Sequence, residues 1–416
     1  MKRVERDNKG FLLITAYLVI ILLLISASAF LMRAITQNRL MQREINYKQA
    51  FYLAEAGLDR ALEMIRTGQM EGSFENVCWE DIGCCSCSWN ETAPGSNRYR
   101  IISTGTSGEI SRTVQMEVIE DTYARYLYFT NSETFHWRWW RVPVWFITGD
   151  FMGGPLQTNG HLNISGDPVF GGVVKCADDY INYMHGGPPL DNPDFQQGIE
   201  LGAEVVPMPS KALDLRTAAV HNGLHLQGPT TIVFREDGTM DVTNAQRGWT
   251  NHNLPLPDNG AVFVEGGDVE VSGVLNGALS IGTNKDIIIT DNVLYHDDPR
   301  TNPDSQDRLG LIAERDILVS KDAPYDIEIH ASLMALGDSF QVEEWWNPPA
   351  KGTLTIYGGV IQKNRGPVGT FDARRGTRRS GYSKNYVYDE RLRDLPPPFY
   401  PSTGDYIQAV DSWQEL

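Results

Sequence analysis

Residues 11–32, FLLITAYLVIILLLISASAFLM, carry no charged side chain. As an α-helix this stretch is ~33 Å long, which matches the hydrocarbon core of a bilayer. It is too long for an ordinary secretory h-region, and no small-residue cleavage site follows it. The expectation is a retained membrane-spanning helix.

The helical pattern continues past the apolar run. Residues 33–66 contain no proline and one glycine, Gly57. Apolar residues recur at three- and four-residue spacing through Phe51, Ala54, Leu58, Ala61, Leu62 and Ile65, which makes one stripe. Glu44 and Lys48 add an i,i+4 pair. One unbroken helix from Phe11 to about Arg66 is expected, ~84 Å long. Half of it suits lipid, and half suits packing against protein.

Before the apolar run stands the leader MKRVERDNKG, which ends Lys9-Gly10-Phe11. A polar leader closing on Gly, followed at once by Phe, resembles the processing site of type IV prepilins. The resemblance implies that a prepilin peptidase cuts after Gly10 and that Phe11 becomes an N-methylated amino terminus. The segment QAFYLAEAGLDRAL at 49–62, with Glu55 and Gly57, resembles the A-E-A-G stem of PilX-type minor pilins. One position departs from the family: Thr15 stands where major pilins carry Glu. A charged amine in lipid is costly unless it is paired, and Thr15 offers no charge. Glu55 is ~66 Å further along the helix, so it cannot substitute; it reads as an exposed or head-contacting helix charge. This points to a low-copy, tip-proximal subunit. Basic residues flank the apolar run on both sides, so charge balance gives no orientation. A cytoplasmic N-terminus and an external body follow from the resemblance and from the cysteines.

From about residue 97 the pattern becomes short alternating runs. Residues 99–103 and 112–119 read as two strands joined around Gly105–Gly108. Over residues 121–180 the order of an aromatic strand, T-G-D, a G-P-L-Q-T-N-G run and I-S-G-D-P-V-F resembles an uncharacterised domain often found behind PilX-type stems. Further runs, including Val262-Phe-Val264, Ile287-Ile-Ile289 and Ile317-Leu-Val319, recur every 8–10 residues with Gly, Asn or Asp between them. The expected fold class is α+β, mainly β: a long N-terminal transmembrane and amphipathic helix, then a β-solenoid-like body. The expected division is a leader at 1–10, the stem helix at 11–66, and a Cys-containing loop with a small sheet at 67–120. The β-rich domain follows at 121–404 and a C-terminal tail at 405–416.

The formal net charge of −17 removes a basic footprint for nucleic acid. Cys78, Cys84, Cys85 and Cys87 cluster, and Cys176 stands apart. In an oxidising compartment the cluster reads as one or two local disulfides. Zinc and free thiols are the other readings, although adjacent Cys84 and Cys85 are awkward for a tetrahedral site. His221 and His225 flank Asn222-Gly223, which reads as a hairpin turn and not a metal pair. Trp137, Trp139, Trp140 and Trp145, interleaved with Arg, form an aromatic patch; Trp345-Trp346 is a second. They read as a contact surface or as a β core. Asp178-Asp179 and Asp297-Asp298 read as solvated or capping carboxylates, or as a glycosidase-like pair. The sequence contains no P-loop, no H-E-x-x-H and no dinucleotide fingerprint. No enzyme, cofactor or metal is expected.

Two functions are expected. The first is a minor type IV pilus or pseudopilus subunit in the inner membrane, with its body in the periplasm or outside. It would take part in filament assembly, priming or adhesion. Its partners would be other pilins or pseudopilins, the assembly platform, the peptidase and lipid, with a glycan or host surface as a further contact. The alternative is a membrane-tethered β-solenoid that binds carbohydrate or acts on polysaccharide. A K-type pseudopilin also lacks the Glu, but it carries a mainly helical head.

Overall fold

A computed structural model describes residues 9–92, 97–137, 140–372 and 377–416. The chain forms two units. The first comprises residues up to Glu120 together with Tyr406–Leu416; the second is Asp121–Asp405. The second unit is therefore an insertion in the sequence of the first.

In the first unit, helix α1 spans Lys9–Arg66 without interruption. Four antiparallel strands follow: β1 Gly72–Trp79, β2 Gly83–Glu91, β3 Arg98–Ser107 and β4 Ile110–Thr122. The last turns of α1 lie on this sheet. Ala54, Leu58, Ala61 and Ile65 are buried with Trp89, Ile101, Val114 and Val118. Each buried Leu, Ile or Val contributes about 1.5–3 kcal/mol relative to exposure. Two glycines matter for a different reason: they allow close approach. A Cβ on Gly57 would lie 2.1 Å from the Ser103 hydroxyl oxygen, and one on Gly105 would lie 2.1 Å from the Ala50 carbonyl oxygen.

That contact corrects the expected turn. Gly105 lies within β3, opposite Arg112, and is there to let the helix pass. The reversal is at Gly108-Glu109, between the paired Ser107 and Ile110, where Gly108 has φ +58°. Residues 405–416 are likewise not a free tail. Tyr406 packs its ring 5.7 Å from that of Tyr99, and Gln414–Glu415 pairs with β4 at Gln115 and Val114.

In the second unit the strands form parallel ladders. One row of aligned residues runs Leu224, Val262, Ile281, Leu311, Leu333, Val360, Tyr128, Leu156, Val174, Ile199. All but the two end residues are buried. At ~4.8 Å between strands the row is ~43 Å long. A second ladder aligns Thr230–Phe234, Val269–Leu275, Ile287–Tyr295, Ile317–Val319 and Phe340–Val342.

Ladder order is not chain order. The chain enters in the middle at Tyr128–Ser132 and runs outward to Ile199–Leu201. It then crosses to the far end at Leu224–Gln227 and works back until Ala350–Asn364 pairs with Tyr128–Ser132. The crossing segment covers the outer face of the ladder: Ala212, Leu215 and Ala219 bury Phe263, Ile312, Met334, Ile361 and Phe129. Leu215 and Ala219 belong to α2, Leu213–Asn222. Gly282 makes room there, since a Cβ would fall 2.7–2.8 Å from the Phe263 and Leu215 side chains. The ends of the unit meet: the Tyr123 N–H donates to the Pro401 carbonyl at 3.1 Å.

Candidate functional site

The N-terminal part of α1 exposes a continuous apolar surface, with Phe11, Leu13, Leu22 and Phe30 among the exposed side chains. Among the described residues it is the one helix long and apolar enough to cross a membrane. Its Thr and Ser hydroxyls are satisfied within the helix. Thr15 donates to the Phe11 and Leu12 carbonyls at 3.0 Å, Ser26 to Leu22 at 2.8 Å and Ser28 to Leu24 at 2.7 Å. These aliphatic hydroxyls therefore need no partner from outside the helix. Gly10 and Phe11 lie inside α1. Residues 1–8 of the leader lie outside the described residues. Glu55 is half-buried, and Gly57 is fully packed against β3.

The cysteine cluster divides by strand face. The hairpin register sets Cys78 opposite Cys84, and a disulfide joins them. Cys85 and Cys87 are buried thiols, as is Cys176. Of the one or two bonds expected, the structure holds one, and Cys85 and Cys87 take no part in it. Their β2 face turns inward, and Cys87 packs in the core with Ile65 and Trp89. Burial pushes the Cys87 and Cys176 thiols up to about 12.

His221 and His225 do not flank a hairpin. His221 lies in the last turn of α2 and bonds the Thr217 carbonyl, and His225 lies on Leu224–Gln227, 3.7 Å from Glu265. Asp178 pairs with His161 at 2.9 Å, and Asp298 is bound by Arg300 at 2.6 Å. Among the described residues no group of His, Cys, Asp and Glu is placed to hold a metal.

The aromatic patch separates as well. Trp140 is exposed on the hairpin Thr134–Trp137/Trp140–Pro143. Trp139 and the Trp137 side chain lie outside the described residues. Trp145 instead turns into a cavity of about 530 Å³, whose wall includes Phe135, Trp345, Phe371 and Tyr382. Phe135 and Trp345 meet edge to face at 5.2 Å. This volume falls in the range of small-molecule sites.

Two buried ion pairs stand by this cavity. Lys384 and Asp150 both line it, with Nζ 2.5 Å from Oδ2. The same Asp150 oxygen accepts from the Ile147 N–H at 3.1 Å. Burial pulls the Lys384 ammonium below the usual lysine range, against the opposing pull of Asp150. Arg365 pairs with Glu133 at 2.7 Å, donates to the Val144 and Trp145 carbonyls at 3.3 and 3.2 Å, and lies 3.5 Å over the Phe146 ring. Thr130 also donates to Glu133. These bonds fix the backbone that carries Trp145.

Sequence reasoning noticed Trp145 and Trp345 as separate patches. It missed Asp150, Arg378 and Lys384 as their neighbours. No local pattern carries that signal, because the parallel ladder brings residues 135–150 beside 345–384.

Residues 96–178 match the family described as a domain of unknown function, DUF4900. Among solved structures the chain is similar to the competence-associated pilin ComZ from Thermus thermophilus. Identity is 14%, over 89% of this chain and 97% of that chain, with a TM-score of 0.36. No curated protein matches the sequence.

Proposed function

We propose that this protein is a membrane-anchored minor subunit of a type IV pilus or pseudopilus, of the PilX-type kind. In this reading α1 is the stem, the β1–β4 sheet is the head, and the inserted unit is a β-solenoid. The carrying observation is one helix, Lys9–Arg66, whose first half is bare and apolar and whose second half packs small residues closely on an antiparallel sheet. The parallel ladders, with aligned aliphatic rows, support the solenoid reading.

Thr15 sets the position in a filament. A threonine has no carboxylate to offer a neighbour's amine, and its hydroxyl is occupied by its own helix. The reading is a tip-proximal subunit, inserted in the inner membrane with its body outside the cytoplasm. It takes part in assembly, priming or adhesion with other pilins and the assembly platform. We assign it no reaction and no cofactor.

The test is the amino terminus of the protein recovered from membranes. Mass spectrometry should find a chain beginning at Phe11 and carrying an N-methyl group. An intact leader in cells with an active prepilin peptidase would overturn the reading.

A further inference from the structure

We propose that the cavity walled by Trp145 and Trp345 is a binding site for a small amphipathic carboxylate, with its apolar body between the aromatic walls and its anionic end on Arg378. The site does not depend on the filament reading, and a retained leader would leave it standing.

The walls set the body of the ligand. Phe135, Trp145, Trp345 and Phe371 present rings, and Pro367 and Val368 fill between them. Such a lining gains most from an apolar group that leaves water.

The charges set its end. Among the described residues three charged side chains line the cavity: Asp150, Arg378 and Lys384. Asp150 and Lys384 neutralise each other at 2.5 Å. Arg378 is half-buried, and its Nε is buried with no hydrogen-bond acceptor among the described residues. Among the described residues the lining thus carries one positive charge that no carboxylate of the lining offsets, in a chain of net charge −17. A guanidinium presents a planar fork that matches a carboxylate with two parallel bonds. A partly buried guanidinium with no carboxylate beside it in the lining favours a ligand that supplies one over a ligand that does not.

The same inventory argues against a saccharide. Sugar hydroxyls need several acceptors as well as donors. The one carboxylate among the described wall residues, Asp150, already accepts from Lys384 and from the Ile147 N–H. A metal cation is disfavoured by the positive charge.

The test uses the full chain in lipid nanodiscs, because detergent tails would compete for an apolar cavity. The probes are para-fluorophenylbutyrate and its neutral counterpart para-fluorophenylbutanol, followed by ¹⁹F relaxation with empty nanodiscs subtracted. The expected result is saturable binding of the carboxylate, about tenfold or more tighter than the alcohol. Arg378→Gln should remove that preference, while Trp345→Ala should weaken binding of both probes and leave their ratio in place. Absence of saturable carboxylate binding overturns the proposal. So does equal affinity for the two probes, or an unchanged preference in R378Q. Displacement of the carboxylate by chitotetraose would assign the cavity to glycans and also overturn it. If R378Q melts early, the ratio of the two probes on the unsubstituted chain decides alone.

Discussion

Arg365 donates to Glu133 at 2.7 Å although the two residues are 232 positions apart in the chain, and both side chains are almost wholly buried. The bond crosses the seam where Ala350–Asn364 receives Tyr128–Ser132, the point at which the ladder closes on its own beginning. Two charges taken from water need full mutual satisfaction, and here Thr130, Val144 and Trp145 complete the set.

Breaking that pair should therefore be expensive. Arg365→Met leaves Glu133 charged and buried, and should destabilise the second unit by about 3–5 kcal/mol. Adding Glu133→Leu should recover much of the loss, since removing both charges leaves no orphan. Urea unfolding of residues 121–405, whose ends meet, measures both. Similar losses in the single and double variants would contradict this account.

Close approach of α1 to β3 makes two glycines unequal. Gly105→Ala puts a methyl group against the Ala50 carbonyl, part of a helix backbone that cannot rotate away. A loss of about 1–3 kcal/mol or more is expected. Gly57→Ala meets the Ser103 hydroxyl, the end of a movable side chain, and gains about 1 kcal/mol of helix propensity. Its net effect should be under about 1 kcal/mol. Thermal unfolding of the two variants ranks them.

The cysteines should differ in chemistry. In the folded protein Cys85, Cys87 and Cys176 should resist iodoacetamide at neutral pH, because they are buried and the Cys87 and Cys176 thiols are held near 12. Cys78 and Cys84 should become alkylated only after reduction. Replacing both by Ser should cost about 2 kcal/mol, as expected for so short a loop. Peptide mapping and melting curves check the two statements.

Asp316 gives the second unit a pH dependence. The turn carboxylates form a line: Asp268 accepts from the Asp286 N–H at 3.2 Å, Asp286 from Asp316 at 3.0 Å and Asp316 from Ser339 at 2.8 Å. Burial, with Asp338 and Asp286 nearby, pushes the Asp316 carboxyl up to about 6. Its raised value means that protonation is favoured on folding. The associated stability is complete below about pH 4 and is lost as pH rises through about 6. Asp316→Asn keeps the acceptor for Ser339 and removes the charge. It should stabilise by on the order of 1–2 kcal/mol at pH 7.5 and by nothing at pH 4. Melting temperatures at the two pH values test the sign.

Much of this was legible locally. The uncharged run at 11–32 and the unbroken pattern to Arg66 announce one helix, and α1 spans Lys9–Arg66. The run at 262–264 lies inside the strand Ala261–Glu265, and 287–289 inside Ile287–Tyr295. Such elements depend on neighbours in sequence, which the sequence displays. The partner of a strand does not. Nothing near Tyr128 says that it stacks between Val360 and Leu156. Cys84 and Cys85 are neighbours, yet one is bonded and the other buried, because successive strand residues face opposite sides.

The sequence by itself determined that the chain begins with a helix fit for a membrane and continues as a β-rich body built of short strands. Hydrophobic period and uninterrupted length are one-dimensional properties. Only the tertiary structure decided that the chain enters its ladder in the middle, that residues 406–416 return to the first unit, and that Trp145 meets Trp345 around a cavity. Those outcomes follow from which buried faces match. That is a competition among segments far apart in the chain, settled by packing and by the need to satisfy buried charges such as Arg365 and Glu133.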